Sequence, residues 1–140
     1  MEDVVIEIRS LQDGKEVSYL LTDGRLSQIE SDVLLEFDGS DLYGQKGATF
    51  SMRITGDKRV SLALENGDDS EFTLERGVKH FRSIGNSSDI HDMLVGIDAQ
   101  QITSNVGLNG GTADFKYILD YNNHSAVTKE MKVSVRSKNQ

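Results

Sequence analysis

The chain has 140 residues, a net charge of −8, thirteen Gly, and no Pro, Cys or Trp. That length suits one domain with a full core, and the missing Cys excludes disulfides, zinc thiolates and thiol chemistry, as expected of a protein in a reducing cytoplasm. The acidity argues against a nucleic-acid partner, which wants a basic face. Met1-Glu2-Asp3-Val4 begins neither a basic leader nor a long apolar run, so neither secretion nor a membrane partner is expected.

Val4, Ile6 and Ile8 alternate with Val5, Glu7 and Arg9, the period of two that marks a half-buried strand. After Asp13-Gly14 come Val17, Tyr19 and Leu21, then Asp23-Gly24, then a weak run at Leu26–Glu30. Val33–Phe37 is compact and apolar. Phe50, Met52 and Ile54 alternate, and so do Val60, Leu62 and Leu64. Phe72–Leu74 and Val78–Ile84 are shorter or mixed. Gly or Asn punctuates nearly every junction: Asp38-Gly39, Gly56-Asp57, Asn66-Gly67, Arg76-Gly77, Gly85-Asn86 and Asn109-Gly110. Turn signals at such intervals suit short strands in a sandwich or barrel, and no Pro interrupts a ladder. Ser88–Ile97 reads two ways. Ser88 can cap a helix with apolar residues at 90, 93, 94 and 97, yet Met93, Val95, Ile97 and Ala99 also alternate.

The stretch Gly110–Arg136 organises the rest. Ala113, Phe115, Tyr117 and Leu119 form one row, and Val127, Met131, Val133 and Val135 form another, on either side of Asn122-Asn123-His124. A two-residue turn on Asn122-Asn123 would oppose Phe115 to Glu130 and mix the faces. A three-residue loop opposes Phe115 to Met131 and Ala113 to Val133, so both rows share one face and this register is expected. Lys129 then interrupts the apolar row beside Tyr117, where a barrel mouth would let its ammonium turn outward.

The order of these elements resembles the YwiB-like bacterial proteins, a family of unknown function with a calycin-like, lipocalin-like β-barrel. The likeness runs from Val4–Gly14, with its Ser10-Leu11-Gln12 step, through Gly77-Val78-Lys79-His80 to Tyr117-Ile118-Leu119 and Met131–Val135. It implies a long strand after His91. It departs at Phe37-Asp38-Gly39, where the family tends to have Tyr and acidic residues, at Ser88–His91, where it tends to have Thr-Pro-Tyr-Gly, and at Lys129, where it tends to have Asn. At those positions no family role passes to this chain. The missing Trp also parts it from the lipocalin signature.

Motifs for catalysis are absent. His80, His91 and His124 are scattered, no Gly-x-Ser-x-Gly elbow occurs, and Gly39–Gly47 and Gly107–Gly111 lack the Lys-Ser/Thr of a phosphate loop. Neither a metal nor a cofactor is expected. In Lys79-His80-Phe81-Arg82, alternation puts Lys79 and Phe81 on one face and His80 and Arg82 on the other. The favoured arrangement turns Phe81 to the core and leaves His80 and Arg82 solvated; an inward Arg82 would need a partner such as Asp98 or a bound anion.

The expected molecule is therefore an all-β, closed antiparallel calycin-like β-barrel of about ten strands, a single domain over 1–136 with a tail at 137–140. Its expected role is non-enzymatic binding of a small apolar or anionic ligand in the barrel mouth, with Tyr19, Tyr117, Tyr121, His80 and Arg82 as candidate ligand-binding residues. The alternative is a filled barrel that acts as a structural or protein–protein interaction module. Oligomeric state is not legible.

Overall fold

The computed structural model describes residues 2–38, 49–64, 72–84, 93–121 and 124–138. Ten strands account for nearly all of them: β1 (Glu2–Gln12), β2 (Lys15–Ile29), β3 (Asp32–Asp38), β4 (Thr49–Thr55), β5 (Arg59–Leu64), β6 (Phe72–Glu75), β7 (His80–Ile84), β8 (Met93–Ser104), β9 (Gly110–Tyr121) and β10 (His124–Ser137). They form one antiparallel sheet in the order β6-β5-β4-β3-β2-β1-β10-β9-β8-β7. The chain winds outward from β1 in one direction and outward from β10 in the other. The β1–β10 ladder joins the two halves, from Val4 opposite Ser137 to Gln12 opposite Lys129. The segment after His91 enters a strand at Met93, so alternation wins over helical spacing there.

The sheet curls into a nearly closed barrel with one apolar interior. Ile6, Ile8, Leu26, Leu35, Met52, Ile54, Leu74, Ile102 and Phe115 are all at most 2% exposed. The first half supplies this interior by strict alternation, as in β3, where Val33, Leu35 and Phe37 are buried and the residues between them are not. Each such side chain contributes roughly 1.5–3 kcal/mol by leaving water.

Bulges keep the apolar rows inside where the sequence falls out of phase. Val17 is the extra residue between the pairs Ser10–Ser18 and Leu11–Glu16. Gln100 is the extra residue between Ala99–Tyr117 and Gln101–Lys116, which hands the inward phase from Ala99 to Ile102. In β10 the register slips between His124, opposite Tyr121, and Val127, opposite Leu119. Phe115 faces Met131 and Ala113 faces Val133 as expected, but a bulge, not a three-residue loop, delivers that register. A bulge adds one residue to one strand, and so changes which face the following residues take.

Asp23-Gly24, expected as a turn, lies inside β2. Val4 and Phe37 flank Gly24 on the neighbouring strands. A Cβ there would sit 2.5 Å from Ile6 Cδ1 and 2.6 Å from the Glu36 carbonyl oxygen. Gly24 thus marks a close approach of strands within the barrel wall rather than a reversal. True reversals use positive φ at Asp13 (50°) and Gly14 (85°), the pattern of a two-residue hairpin between Gln12 and Lys15.

The tight connections between β2 and β3, β4 and β5, β6 and β7, and β8 and β9 lie at one end of the barrel, the turn end. The strands joined across 39–48, 65–71, 85–92 and 122–123 meet at the opposite end, the loop end, beside Asp13-Gly14. The expected turns at Asp38-Gly39, Asn66-Gly67 and Gly85-Asn86 reach into or lie within segments outside the described residues. The barrel's seam falls between β6 and β7. There Arg76 bridges to Ala99 and Glu75 to Val78. No helix among the described residues is long and apolar enough to cross a membrane.

Gly24→Ala is expected to destabilise the barrel by about 1–3 kcal/mol, because the Glu36 backbone cannot swing aside as a side chain could. A lowered urea midpoint with unchanged slope checks it.

Candidate functional site

The loop end is where polar groups enter the inward rows. One cross-strand row there runs Gln12, Lys129, Tyr117, Ala99 over β1, β10, β9 and β8. Tyr117 is 7% exposed, and Phe72 of β6 reaches across the seam to pack edge-on against it, with ring centroids 5.4 Å apart. Phe72, Ala99, Leu119 and Tyr121 form a half-buried apolar layer over the core. Lys129 is half-buried beside them, and among the described residues no carboxylate lies within ion-pair distance of it. Two hydrogen bonds fasten the hairpin turn to this rim: the Asp13 amide donates to the Thr128 carbonyl at 2.8 Å, and the Thr128 amide donates to Asp13 Oδ1 at 3.1 Å.

The residues expected at the site divide. Tyr117 and Tyr121 sit on inward rows at the loop end. Backbone register sets Arg82 opposite Val95, which in turn opposes Tyr121. The Arg82 side chain lies outside the described features. Asp98, its expected partner, pairs with Ile118 on the outward phase and is not available to the interior. His80 opposes the buried Ile97, and its Nε2 lies 3.0 Å from Glu75 Oε1 across the seam. It is a seam contact more than a mouth residue. Gln12 was not singled out from sequence as a site residue, although counting the β1 alternation two steps past Ile8, through Ser10, reaches it.

Two expectations are corrected. Phe81 does not face the core: it is 55% exposed on the outer wall. It opposes Gly96, which in turn opposes Asp120. Lys79 lies across Gly96, where a Cβ would meet its Cε at 2.6 Å, and reaches Asp120 Oδ2 at 2.6 Å. Its ammonium sits 5.4 Å from the Phe81 ring centroid. A cation held between a carboxylate and an aromatic face explains why this Phe stays outside.

Tyr19 is also on the outer wall, 46% exposed, so it is not a mouth residue. Its hydroxyl donates to Glu7 Oε2 at 2.8 Å, and the Arg9 guanidinium lies 4.7 Å from its ring centroid while bonding Glu16 at 2.8 Å. The hydrogen bond from Tyr19 holds the Glu7 carboxyl below its ordinary pKa. The same bond lifts the Tyr19 phenol above its own. Bonding to Glu16 raises Arg9 further. The Glu7 contribution to stability is present above its unfolded pKa and fades as pH falls through the folded value; the Tyr19 contribution is present below its unfolded pKa and fades as pH rises through the folded value.

A depression of about 230 Å³ lies on the outside of β8–β10, beside the Gln100 bulge. Gln101 lines it with the opposed charges of Asp114, Lys116, Glu130 and Lys132. Among the described residues no group of three His, Asp or Glu could hold a metal ion.

The architecture is similar to that of a crystal structure of YwiB from Bacillus subtilis, with a TM-score of 0.68 over 97% of this chain and 92% of that one. The chain has a YwiB-like fold. Sequence identity is 11%, so the likeness speaks for the fold alone. No protein-family model and no curated protein matches the chain.

Glu7→Gln is expected to move one of the four tyrosine titrations down toward the ordinary phenol value. The pH dependence of tyrosinate absorbance, compared between wild type and variant, reads it directly.

Proposed function

We propose that the protein is a non-enzymatic, calycin-like binding protein related to the YwiB-like bacterial proteins, and that it takes a small, partly apolar anion at the loop end of its barrel. The observation that carries this reading is Lys129: a half-buried cation on an inward row, between Gln12 and Tyr117, with no ion-pair partner among the described residues. A cation bordering apolar surface is stabilised by an anion that shares the site, and charge-assisted hydrogen bonds are the strong ones. The half-buried layer of Phe72, Leu119 and Tyr121 offers the ligand's apolar part a surface. Tyr117, Tyr121, Lys129 and Gln12 are the residues assigned to the ligand. Register brings Arg82 to the same end, and His80 to the seam beside it.

Several features support the rest of the reading. The outer wall carries charges such as Glu7, Arg9, Arg53 and Asp114, where a membrane barrel would carry an apolar belt. The lack of Cys suits the reducing cytoplasm of a bacterium. Acid–base chemistry has no paired groups in the described interior, which is lined by Ile6, Met52, Phe115 and their apolar neighbours. That same packed interior favours a second reading, a filled barrel acting through its outer surface.

Native mass spectrometry of protein purified from its own host separates the two. A small-molecule adduct that survives dialysis is expected, and a bare mass would sink the binding reading. With anilinonaphthalene sulfonate as the anionic apolar probe, Lys129→Gln is expected to weaken binding about tenfold or more while a neutral apolar probe binds unchanged. Equal losses for both probes would show that Lys129 shapes the site and does not recognise charge.

A further inference from the structure

The loop end carries a second cation beside Lys129. Gln12 opposes Lys129 on one side and, across the hairpin turn, Lys15 on the other, so one inward row runs Lys15, Gln12, Lys129, Tyr117. Lys15 and Lys129 each precede a glutamate, and alternation sends the two members of each Lys-Glu pair to opposite faces. Glu16 and Glu130 both oppose Leu11 on the outward phase, and Glu16 is bonded there to Arg9 at 2.8 Å. The row therefore keeps both cations and turns both anions out to the wall. Among the described residues no carboxylate lies within ion-pair distance of either lysine. The backbone under the row is fixed in advance. Asp13 (φ 50°) and Gly14 (φ 85°) close the turn between Gln12 and Lys15. Asp13 also holds Thr128, the residue before Lys129, through bonds of 2.8 and 3.1 Å.

Resting on the binding reading above, we propose that the ligand's anionic end is a phosphate monoester, held between Lys15 and Lys129 over the Gln12 carboxamide. Neighbouring strands lie about 4.8 Å apart, so β2 and β10 stand roughly 10 Å apart with β1 between them. Two lysine side chains close that span onto one tetrahedral group. A carboxylate or sulfonate brings a single negative charge and leaves the second ammonium unmatched. A phosphate monoester brings roughly two at neutral pH, on three acceptor oxygens. Those oxygens take charge-assisted hydrogen bonds from both ammoniums, and Gln12 adds a neutral donor. The mouth is divided to suit such a molecule. The polar part of the row sits on β2, β1 and β10, and the half-buried layer of Phe72, Ala99, Leu119 and Tyr121 sits on β6, β8 and β9. The ester's apolar body therefore lies beside its charged head and not beneath it, where Ile8, Phe115 and Met131 fill the core. The chain's −8 repels a dianion at long range, so the lysines recognise it at contact distance and do not steer it in.

Isothermal titration calorimetry on the full chain tests this with probes that share one ring: naphthyl phosphate, naphthalene sulfonate and naphthol. Wild type is expected to bind the phosphate about tenfold or more tighter than the sulfonate at neutral pH. That preference is expected to fade as pH falls through about 6, where the monoester takes up its second proton. Lys15→Gln is expected to erase the preference while naphthol binding and the unfolding midpoint stay unchanged, since Lys15 is exposed. Lys15→Arg, which keeps the cation, is expected to retain it. Equal affinity for the two anions in wild type, or a preference that Lys15→Gln leaves intact, overturns the two-lysine cradle while the binding reading stands. If none of the naphthalene probes binds, the binding reading falls and this inference falls with it.

Discussion

One face of one sheet has to stay inside for the whole length of the chain. A strand exposes alternate residues to opposite faces, so a slip of one residue turns a buried row out to water. Here the constraint is met by alternation where the sequence is in phase and by bulges where it is not. Val17, Gln100 and the slip between His124 and Val127 each re-phase a strand so that Leu20, Ile102 and Met131 reach the interior. The bulges belong to the long strands β2, β8 and β10. The short strands β3 to β5 keep phase without them.

The wall and the mouth obey different chemistry as a result. Toward the turn end the inward rows are apolar: Val4, Ile6, Ile8, then Val133 and Val135 opposite them. Toward the loop end the same rows become Ser10, Gln12 and Lys129. Position along a strand, more than its face, therefore separates core from rim. On the outside, the charged contacts are exposed ones such as Arg9 with Glu16, and exposed pairs of this kind contribute little to stability. Lys79 with Asp120 is more enclosed, and it ties the segment before β7 to β9 across Gly96, close to the seam that β6 and β7 leave unpaired.

Much of the fold was legible because period two leaves a direct mark on sequence. The all-β class, the strand number and the pairing of Phe115 with Met131 follow from alternation. What stayed hidden has a common cause: backbone events that no single residue announces. Asp23-Gly24 has turn composition, yet it serves a close approach to Ile6 and the Glu36 carbonyl, which only the third dimension shows. The long strand after His91 is β8 as the resemblance implies, but the inward row past Ala99 is hidden because the Gln100 bulge breaks the alternation there. Alternation and the cost of burying Arg82 favour an inward Phe81, but the Lys79 cation beside it accompanies the ring at the surface. Of the site, Tyr117 and the out-of-place Lys129 were readable from the row they share. Tyr19 was not, since face and neighbours, not residue type, decide whether a tyrosine meets a ligand.

The ladder between β1 and β10 sets an order of events during synthesis. A ribosome delivers β1 first and its partner nearly last, so the nascent chain carries the unsatisfied flank of β1 while β2 to β9 emerge. Until then, among the described residues, the two meanders are bridged through the main chain only across the seam, where Arg76 meets Ala99. Contacts this far apart in sequence close slowly. Barrel completion is therefore a late step after translation of β10, and the interval before it is when the chain is most open to association with other strands.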